Sequence, residues 1–471
     1  MIVQRFEFKT RKAEKLLEGV TRFALSANGE KMLYEHDKKL FIVPAGKAPK
    51  PGDGALKLDG MEAYVEPRAE WRQIYNEIWR IERDFFYDPH YHGLDIAAAE
   101  KAYEPYLEGV ASRSDLNYLF GDMLGNFNVL HMFVGGGTHP RSEPVHVGLL
   151  GADYAVDNDR YRFARVFDGE NWNPDLHAPL TQPGVNVKAG EYLLAVNGRP
   201  LHASEDLYSF FQETAGRQTV LKVGPNPDES ASRDVTVVPL DTESGIRHLA
   251  WIEGNRRKVD QLSGGLLGYV YLPDTGQSGF TNFNRYFFAQ VGKEGLVVDE
   301  RFNSGGQLAD YVIDHLRRPL MNFAVTREGE VQASPGEAIF GPKAMIINEF
   351  AGSGGDAMPW YFRKAKIGPL IGERTWGGLV GIGGYPSLID GGTVTAPRIA
   401  IYGLEGQWEV ENHGIAPDIE VGLDPKLVRE GHDPQLEKAV EVVLQALKDH
   451  PPPVYAKPPY PDYHPGLPTT P

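Results

Sequence analysis

The stretch NEFAGSGGD, residues 348–356, decides the fold of this chain, because it sets Ser353 between glycines where an apolar strand meets a helix. The preceding PKAMIIN (342–348) has the pattern of a buried strand, and DAMPWYFRKAK (356–366) has that of the following helix. A serine at such a turn displays its Oγ near helix N–H groups that stabilise a developing oxyanion. The pattern predicts a nucleophilic serine; a glycine-rich loop with an incidental serine is the alternative.

Length and composition bound the class of protein. The chain has 471 residues, 41% hydrophobic and 24% charged, which is ordinary for about three globular domains of roughly 150 residues each. A formal charge of −16 argues against nucleic acid or an anionic membrane as partner. The absence of cysteine excludes a thiol nucleophile and a Cys-ligated metal. With no apolar span and no secretory signal pattern, we expect a cytoplasmic enzyme.

Residues 1–60 alternate apolar and polar positions in short runs, with Asn28-Gly29 at a predicted hairpin turn. This pattern indicates part of one β-propeller blade. Propellers close with about four to eight blades, and no second copy of the pattern follows. Either the chain is the C-terminal part of a longer polypeptide, or these strands dock elsewhere.

Residues 61–140 are predicted to form a helical domain. The segment EWRQIYNEIWRIERDFF (70–86) is amphipathic, and its end, NVLHMFVGGG (128–137), carries His131 just before a glycine run. A lone histidine in such a place is more often structural than catalytic. The residues expected on the apolar face of the helix are Trp71, Ile74, Tyr75, Ile78, Trp79, Phe85 and Phe86.

Residues 141–240 alternate like β-strands around one predicted helix, SEDLYSFFQETA (204–215), and this order resembles a PDZ domain. The most specific match is VKAGEYLLAVNGRPL (187–201), a strand with an Asn-Gly turn. PDZ domains add an extended peptide at a sheet edge. The candidate loop for the peptide end comprises Gly148, Leu149, Leu150 and Gly151. Since such domains occur in adaptors and in proteases, this feature alone is neutral on catalysis.

Residues 241–450 alternate strand and helix runs, which predicts an α/β layer. The strand GLVVD leads into ERFNSGG (300–306), a second glycine-rich turn whose N–H groups could face the same point as Ser353. The last predicted helix is PQLEKAVEVVLQALKD (434–449), and residues 451–471 form a Pro-rich tail expected to extend over a surface. The fold class is therefore multidomain α/β.

Five motifs in order give the chain a resemblance to the C-terminal half of tricorn-type serine peptidases. The resemblance covers essentially all residues and implies a crotonase-like α/β catalytic domain after the helical and PDZ domains. The motifs are PRAEWRQIYNEIWRIERDFFYDP (67–89), DERFNSGG (299–306), NEFAGSGGD (348–356), GPLIGERTWGGLVGI (368–382) and ENHGIAPDIEV (411–421).

The resemblance implies a serine endopeptidase of oligopeptides that uses no cofactor and no metal. Ser353 would be the nucleophile, His131 the general base and Glu411 a supporting carboxylate. The oxyanion donors would be the backbone N–H groups of Gly306, Gly305 and Gly354. The family further implies a cytoplasmic homo-oligomer, a hexamer, that degrades peptides released by the proteasome and passes its products to aminopeptidases.

Two positions depart from the family pattern. The family has a serine before the catalytic histidine, linking it to the glutamate, and here that position is Leu130. The family also has an aspartate after the nucleophile, where this chain has Gly354. A Ser–His pair that works at a reduced rate is the expected consequence, because losing the orienting member of a triad costs less than losing the nucleophile or the base.

Three other hypotheses compete with this one. The Ser–Lys dyad of C-terminal processing peptidases needs a lysine where TWGG (375–378) has Gly378, so a histidine base is favoured. A PDZ-containing peptide-binding or scaffold protein on a degraded peptidase frame is the main alternative, and a small-ligand carrier is a weaker one. His90 and His92 have a spacing that can bind metal, but no third ligand accompanies them.

Overall fold

The computed structural model describes residues 1–140, 142–451 and 455–463. It divides into two compact units, Met1–Glu70 and Trp71–Pro471. Among the helices of these described residues, none combines the length and the apolar character needed to cross a membrane. Residues 452–454 and 464–471 of the predicted Pro-rich tail lie outside the described residues.

The first unit is antiparallel β-structure, as the alternating pattern predicted. One sheet has the order β3-β4-β5, a separate hairpin joins β1 to β2, and Gly29 occupies the predicted turn with φ of 72°. Alternate side chains of β4 and β5, such as Met32 and Val43, are buried on one face of the sheet. The strands are β1 (Val3–Glu7), β2 (Lys12–Leu17), β3 (Val20–Leu25), β4 (Lys31–His36) and β5 (Lys39–Pro44).

The helical segment packs its apolar stripes into one core. The helices are α1 (Pro67–Phe85), α2 (Ile96–Tyr103) and α3 (Arg113–Leu124), followed by the short strand β6 (Val134–Gly135). Of the predicted face, five side chains are fully buried and two pack at its margin: Ile74, Tyr75, Ile78, Trp79 and Phe86, then Trp71 and Phe85. The same core takes in Leu388, Val394 and Ala396 from far along the chain, which fixes this segment onto the later α/β part.

The PDZ-like part is an antiparallel sheet in the order β12-β11-β9-β8-β7, with β10 paired to β9. The predicted helix over 204–215 is wrong, because only the 3-10 turn Leu207–Phe211 forms there. The backbone beyond that turn pairs instead with residues 146–148, through an antiparallel bridge between Gln212 and Val147. The strands are β7 (Ala152–Asp157), β8 (Arg160–Val166), β9 (Tyr192–Val196), β10 (Arg199–Pro200), β11 (Thr219–Gly224) and β12 (Arg233–Val237).

The α/β part contains a parallel sheet in the order β13-β14-β17-β18-β22, which confirms the predicted fold class. Helices cover this sheet, and every residue of β13, β14 and β17 is buried. The elements are α4 (Ser244–Leu262), β13 (Leu267–Tyr271), α5 (Gln277–Phe288), β14 (Gly295–Asp299), α6 (Ala309–Leu316), β15 (Asn322–Val325), β16 (Val331–Ser334), β17 (Lys343–Ile347), α7 (Gly354–Lys364), β18 (Leu370–Gly372), β19 (Val380–Gly381), β20 (Thr393–Val394), β21 (Ile399–Ala400), β22 (Ile419–Glu420), α8 (Pro425–Arg429) and α9 (Pro434–Asp449).

Two consequences of this topology position the site. Strands β14 and β17 are parallel neighbours, so the turns after their carboxyl ends, 300–306 and 348–353, meet at one edge of the sheet. Strand β6 pairs with β20, which brings the segment after the helices to the same part of the molecule. In the tail, the Tyr455 ring lies 5.2 Å from that of Phe323, so the described part of the tail packs on the β15–β16 hairpin.

Candidate active site

Ser353 lies at the N-terminus of α7 in a backbone conformation that few side chains adopt, with φ of 59° and ψ of −114°. Two hydrogen bonds hold the turn. The Gly352 N–H donates to the Asn303 carbonyl at 3.0 Å, and the Ser353 N–H donates to the Asp356 carboxylate at 2.9 Å. The strained turn is thus fastened on both sides of the serine, as expected where a side chain is displayed for function.

Asp356 is a site residue that the sequence reasoning missed. It is completely buried, and it also accepts hydrogen bonds from the Thr375 hydroxyl and from the N–H groups of Gly377 and Gly378. Burial raises its pKa, and these hydrogen bonds oppose the shift. Asp356 therefore ties the serine turn to the 375–378 loop. Its place at the end of the NEFAGSGGD motif was the available signal.

Gly306 and Gly354 lie next to each other beside Ser353, since a Cβ built on Gly354 would be 2.8 Å from the Gly306 nitrogen. Within the described residues, neither the Gly306 nor the Gly354 N–H donates a hydrogen bond, so both are free to stabilise an oxyanion. Gly305 does not qualify, because its N–H donates to the Asn303 side chain at 2.9 Å. The prediction that Gly305 is an oxyanion donor is therefore corrected. The remaining candidate donors are Gly306 and Gly354.

The backbone around residue 354 leaves no room for a side chain. A Cβ built on Gly354 would lie 1.9 Å from the Thr275 Oγ1 and 2.4 Å from the Gly306 carbonyl oxygen. The residue after the serine must therefore be glycine in this arrangement. Thr275 itself is buried, and its hydroxyl has no hydrogen-bond partner among the described residues.

A buried ion pair anchors the 300–306 turn. The Arg301 guanidinium contacts the Asp299 carboxylate at 2.7 Å and the Asp433 carboxylate at 2.9 Å, just before α9. Next to it, burial raises the pKa of Glu300 well above its ordinary value, and the charge of Asp356 adds to that shift. The turn that carries Gly306 is therefore held from inside the core rather than by solvent contacts.

His131 reaches the site from the helical segment and is 94% buried, with 6% of its surface exposed. Thr395 holds its backbone: the Thr395 hydroxyl donates to the His131 carbonyl at 2.5 Å, and the Phe133 N–H donates to that hydroxyl at 2.7 Å. His131 and Ser353 line the same cleft of about 470 Å³, together with Gly306 and Gly354. The predicted nucleophile, base and two oxyanion donors thus line one cleft, and no hydrogen bond joins the His131 ring to Ser353 within the described residues.

Glu411 holds the histidine segment through its backbone. One carboxylate oxygen accepts from the Leu130 N–H at 2.7 Å, and the other accepts from the Leu379 N–H at 2.6 Å. Burial raises the pKa of Glu411, although these two N–H groups partly offset the shift. No hydrogen bond joins Glu411 to the His131 ring within the described residues, so the carboxylate positions the main chain before the histidine.

Among the described residues, no hydrogen bond orients the His131 ring through its Nδ1. This nitrogen is buried. Leu130, the residue that replaces the family's serine, cannot supply one. Burial lowers the pKa of His131, because the imidazolium would be poorly solvated there.

The structure gives less support to two other sites considered in the sequence, the PDZ peptide loop and the His90–His92 pair. In the PDZ-like loop, Gly148 and Leu149 donate their N–H groups to backbone carbonyls, and Gly151 donates to Glu243, so binding of a peptide end there would require these bonds to break. The fourth residue of that loop, Leu150, is buried. His92 bonds to the Tyr87 hydroxyl at 2.7 Å, and no group of three or more acidic or histidine side chains among the described residues is arranged to hold a metal.

Three family models match successive parts of this chain. The model of the tricorn protease C1 domain matches residues 67–125, and the tricorn protease PDZ domain matches residues 148–242. The model of peptidase family S41 matches residues 266–421. These matches confirm the PDZ domain and the resemblance inferred from the sequence motifs.

Curated relatives and a solved structure extend the likeness to almost the entire chain. Tricorn protease homolog 1 of Streptomyces coelicolor is 35% identical over 460 residues, which are 95% of this chain and 42% of that protein. Tricorn protease of Thermoplasma volcanium is 30% identical over 453 residues, 95% of this chain and 43% of that protein. A crystal structure of the tricorn protease matches with a TM-score of 0.87 at 29% identity, covering 95% of this chain and 43% of that one.

The chain spans less than half the length of these relatives. Within that span, the C1 match contains the first of the five motifs and the S41 match contains the other four, with the PDZ match between them. The chain therefore contains the C1 and PDZ domains of tricorn proteases, followed by a domain of peptidase family S41.

Proposed function

We propose that this chain is the catalytic part of a serine endopeptidase that hydrolyses oligopeptides. The proposal rests on one observation: Ser353 and His131, from different parts of the chain, line one cleft. Beside them lie two backbone N–H groups that donate no hydrogen bond within the described residues. Membership of a peptidase family supports the reaction class.

The geometry supports ordinary acyl transfer. His131 takes the proton of the Ser353 hydroxyl as its Oγ attacks the scissile carbonyl, and the N–H groups of Gly306 and Gly354 stabilise the oxyanion. His131 then protonates the leaving amine as the peptide bond breaks. In the second half, His131 takes a proton from the water that attacks the acyl-enzyme carbonyl, and it then protonates the Ser353 Oγ as the acyl–oxygen bond breaks. This step releases the acid product and restores Ser353.

In this proposal Ser353 and His131 act as a dyad, and Glu411 is a positioning residue. Among the described residues, Glu411 accepts from the N–H groups of Leu130 and Leu379, so it fixes the main chain before His131 without pairing with the imidazolium. We expect this arrangement to lower kcat, because an unpaired imidazolium is less stable in the transition state.

The structure offers less support for the competing scaffold hypothesis. A PDZ-type adaptor holds the end of a peptide on free backbone N–H groups. In the 148–151 loop three of the four N–H groups are engaged, at Gly148, Leu149 and Gly151. The loop at 148–151 would therefore need to rearrange before it could serve that function.

The family resemblance extends the proposal to cellular context. We place the protein in the cytoplasm as a homo-oligomer, a hexamer, that receives oligopeptides released by the proteasome and hands products to aminopeptidases. Light scattering of the purified chain tests the hexamer directly. A monomeric mass would remove the oligomeric part of this proposal and leave the catalytic part standing.

The catalytic proposal is tested by cleavage of a fluorogenic peptide panel. The Ser353→Ala variant should lose cleavage, and the matched Ser278→Ala variant, altered at an exposed serine of α5, should retain it. Equal cleavage by wild type and Ser353→Ala would assign the activity to a contaminant or to another residue. Mass spectrometry of the products then identifies which bonds are cut.

A further inference from the structure

Trp376 lies beside the candidate active site, in contact with the segments that carry Ser353 and His131. A Cβ built on Gly352 would lie 2.5 Å from the indole Cε3, and one built on Gly378 would lie 2.4 Å from Cζ3. The backbone N–H of Trp376 donates to the Ala351 carbonyl at 2.9 Å. The indole thus packs directly against the backbone that precedes Ser353.

The same indole lies against the His131 ring. The two ring centroids are 5.1 Å apart at 52°, and the indole stacks on Phe133 with centroids 6.3 Å apart at 10°. Phe133 in turn contacts the imidazole at 5.7 Å. Trp376 and Phe133 therefore enclose the imidazole with aromatic surface, in offset geometries that such rings favour.

This packing coincides with a missing hydrogen bond. The His131 Nδ1 has no partner in the described part of the chain, and Leu130 stands where a bridging hydroxyl would be. Glu411 is engaged by backbone N–H groups and does not reach the ring. Within the described residues, the rings of Trp376 and Phe133 contact the imidazole and can set its orientation.

We propose that Trp376 is a positioning residue that orients the His131 imidazole towards Ser353 in place of the hydrogen bond that Leu130 cannot make. This inference rests on the proposed function. It explains how a base without a hydrogen-bonded third member is held in the geometry that proton transfer needs.

The position of the Trp376 indole also bears on residue 378. A side chain at residue 378, where related peptidases carry their lysine base, would overlap the Trp376 ring. The indole therefore excludes a base at that position while it supports the one at His131. The arrangement is consistent with a site built for a histidine and not for a lysine.

A double-mutant cycle between positions 130 and 376 tests the proposal. In the native background, Trp376→Leu should lower kcat by about tenfold or more with little change in KM, because Trp376 is outside the lining of the substrate cleft. In the Leu130→Ser background, where a hydroxyl can orient Nδ1, the same substitution should cost less than about threefold. Equal losses in both backgrounds would overturn the proposal.

Two controls keep the outcome interpretable. Trp172→Leu removes an indole that is 77% exposed, and it should leave kcat unchanged. If Trp376→Leu does not fold, Phe133→Leu removes the second ring, which is 50% exposed, and should show a smaller loss that Leu130→Ser also relieves. An undiminished kcat in Phe133→Leu, or a loss that Leu130→Ser does not relieve, would then contradict the proposal.

A structural readout separates this inference from the proposed function. Crystal structures of wild type and Trp376→Leu should show the imidazole turned or spread over two orientations in the variant. An unchanged ring would overturn the positioning role even if the enzyme is active. A native chain with no peptidase activity but a displaced ring in the variant would refute the proposed function alone.

Discussion

The Glu411 carboxylate accepts a hydrogen bond from the backbone N–H of Leu130 at 2.7 Å. In this way the carboxylate holds the residue before His131, while the imidazole Nδ1 stays without a hydrogen-bond partner among the described residues. In a catalytic triad the carboxylate orients the imidazole directly. Here Glu411 fixes the main chain before His131, so a different group must orient the ring.

Removing the Glu411 carboxylate should destabilise the site and slow the reaction. Glu411→Ala leaves the N–H groups of Leu130 and Leu379 without acceptors, at a cost of about 1–3 kcal/mol for each buried group. We expect a fall in kcat and in the free energy of unfolding. Glu411→Gln keeps one acceptor oxygen, so its kcat and its free energy of unfolding should lie between those of wild type and Glu411→Ala. Denaturant unfolding and peptide cleavage measure both effects, and an unchanged kcat in Glu411→Ala would contradict the positioning role.

A side chain after the nucleophile should not be tolerated. Gly354→Ala places a methyl group 1.9 Å from the Thr275 hydroxyl oxygen, so the turn must shift and one oxyanion donor is lost. We expect kcat to fall by about 10² or more. Gly254→Ala in α4, where a Cβ meets nothing within 4 Å, is the matched control and should be neutral or slightly stabilising. Near-native kcat in Gly354→Ala would show that the close approach is not required.

The pH dependence of acylation should report the buried base. Burial lowers the pKa of His131 from its ordinary value of 6.5, and only the neutral imidazole accepts the Ser353 proton. The acylation rate should rise with pH to a plateau, with its midpoint below 6.5. Leu130→Ser should move the midpoint upward, because the hydroxyl stabilises the imidazolium. His90→Gln alters an exposed histidine and should not move it.

A midpoint above 6.5 in the native chain would mean that the imidazolium is stabilised by a partner that the structure does not show. That result would return Glu411 to a direct role in charge stabilisation.

Glu82 should make stability depend on pH. It is completely buried in α1, both its carboxyl oxygens lack partners among the described residues, and burial raises its pKa to about 9. The folded chain keeps the proton while the unfolded chain loses it above about 4.5, so stability should fall as pH rises from about 4.5 to about 9. The slope is at most about 1.4 kcal/mol per pH unit.

The Glu82→Gln variant tests this directly by urea unfolding at several pH values. The substitution should flatten the pH dependence of the unfolding free energy. The stability of Glu82→Gln relative to wild type should therefore be higher at pH 8 than at pH 5. Glu441→Gln, altered at an exposed glutamate of α9, should leave the slope unchanged. A wild-type slope that persists in Glu82→Gln would place the titrating group elsewhere.

Local pattern was enough to predict much of the fold. The helix over 434–449 has the predicted bounds, because its apolar period is uninterrupted between a Pro start and a Pro-rich end. The turn at Ser353 was predicted from the change of period around glycine. In contrast, the segment 204–215 looks helical in sequence, yet its backbone pairs with residues 146–148, an interaction that no local pattern records.

The parts of the site that the sequence could not supply depend on distant residues. The buried pair between Arg113 and Asp390, which fastens the helical segment to the α/β part, joins positions 277 residues apart. Gly305 is a local exception, because its N–H donates to the Asn303 side chain two residues away, a contact set by the shape of the turn. Trp376 gave no sequence signal for its contact with His131, because the two lie on different segments.

Intact-mass labelling with a fluorophosphonate tests the central claim, that His131 activates Ser353, most directly. The native chain should gain one adduct, and Ser353→Ala and His131→Ala should gain none under the same conditions. Labelling of Ser353 that is equally fast in His131→Ala, or a folded native chain that remains unlabelled, would contradict it.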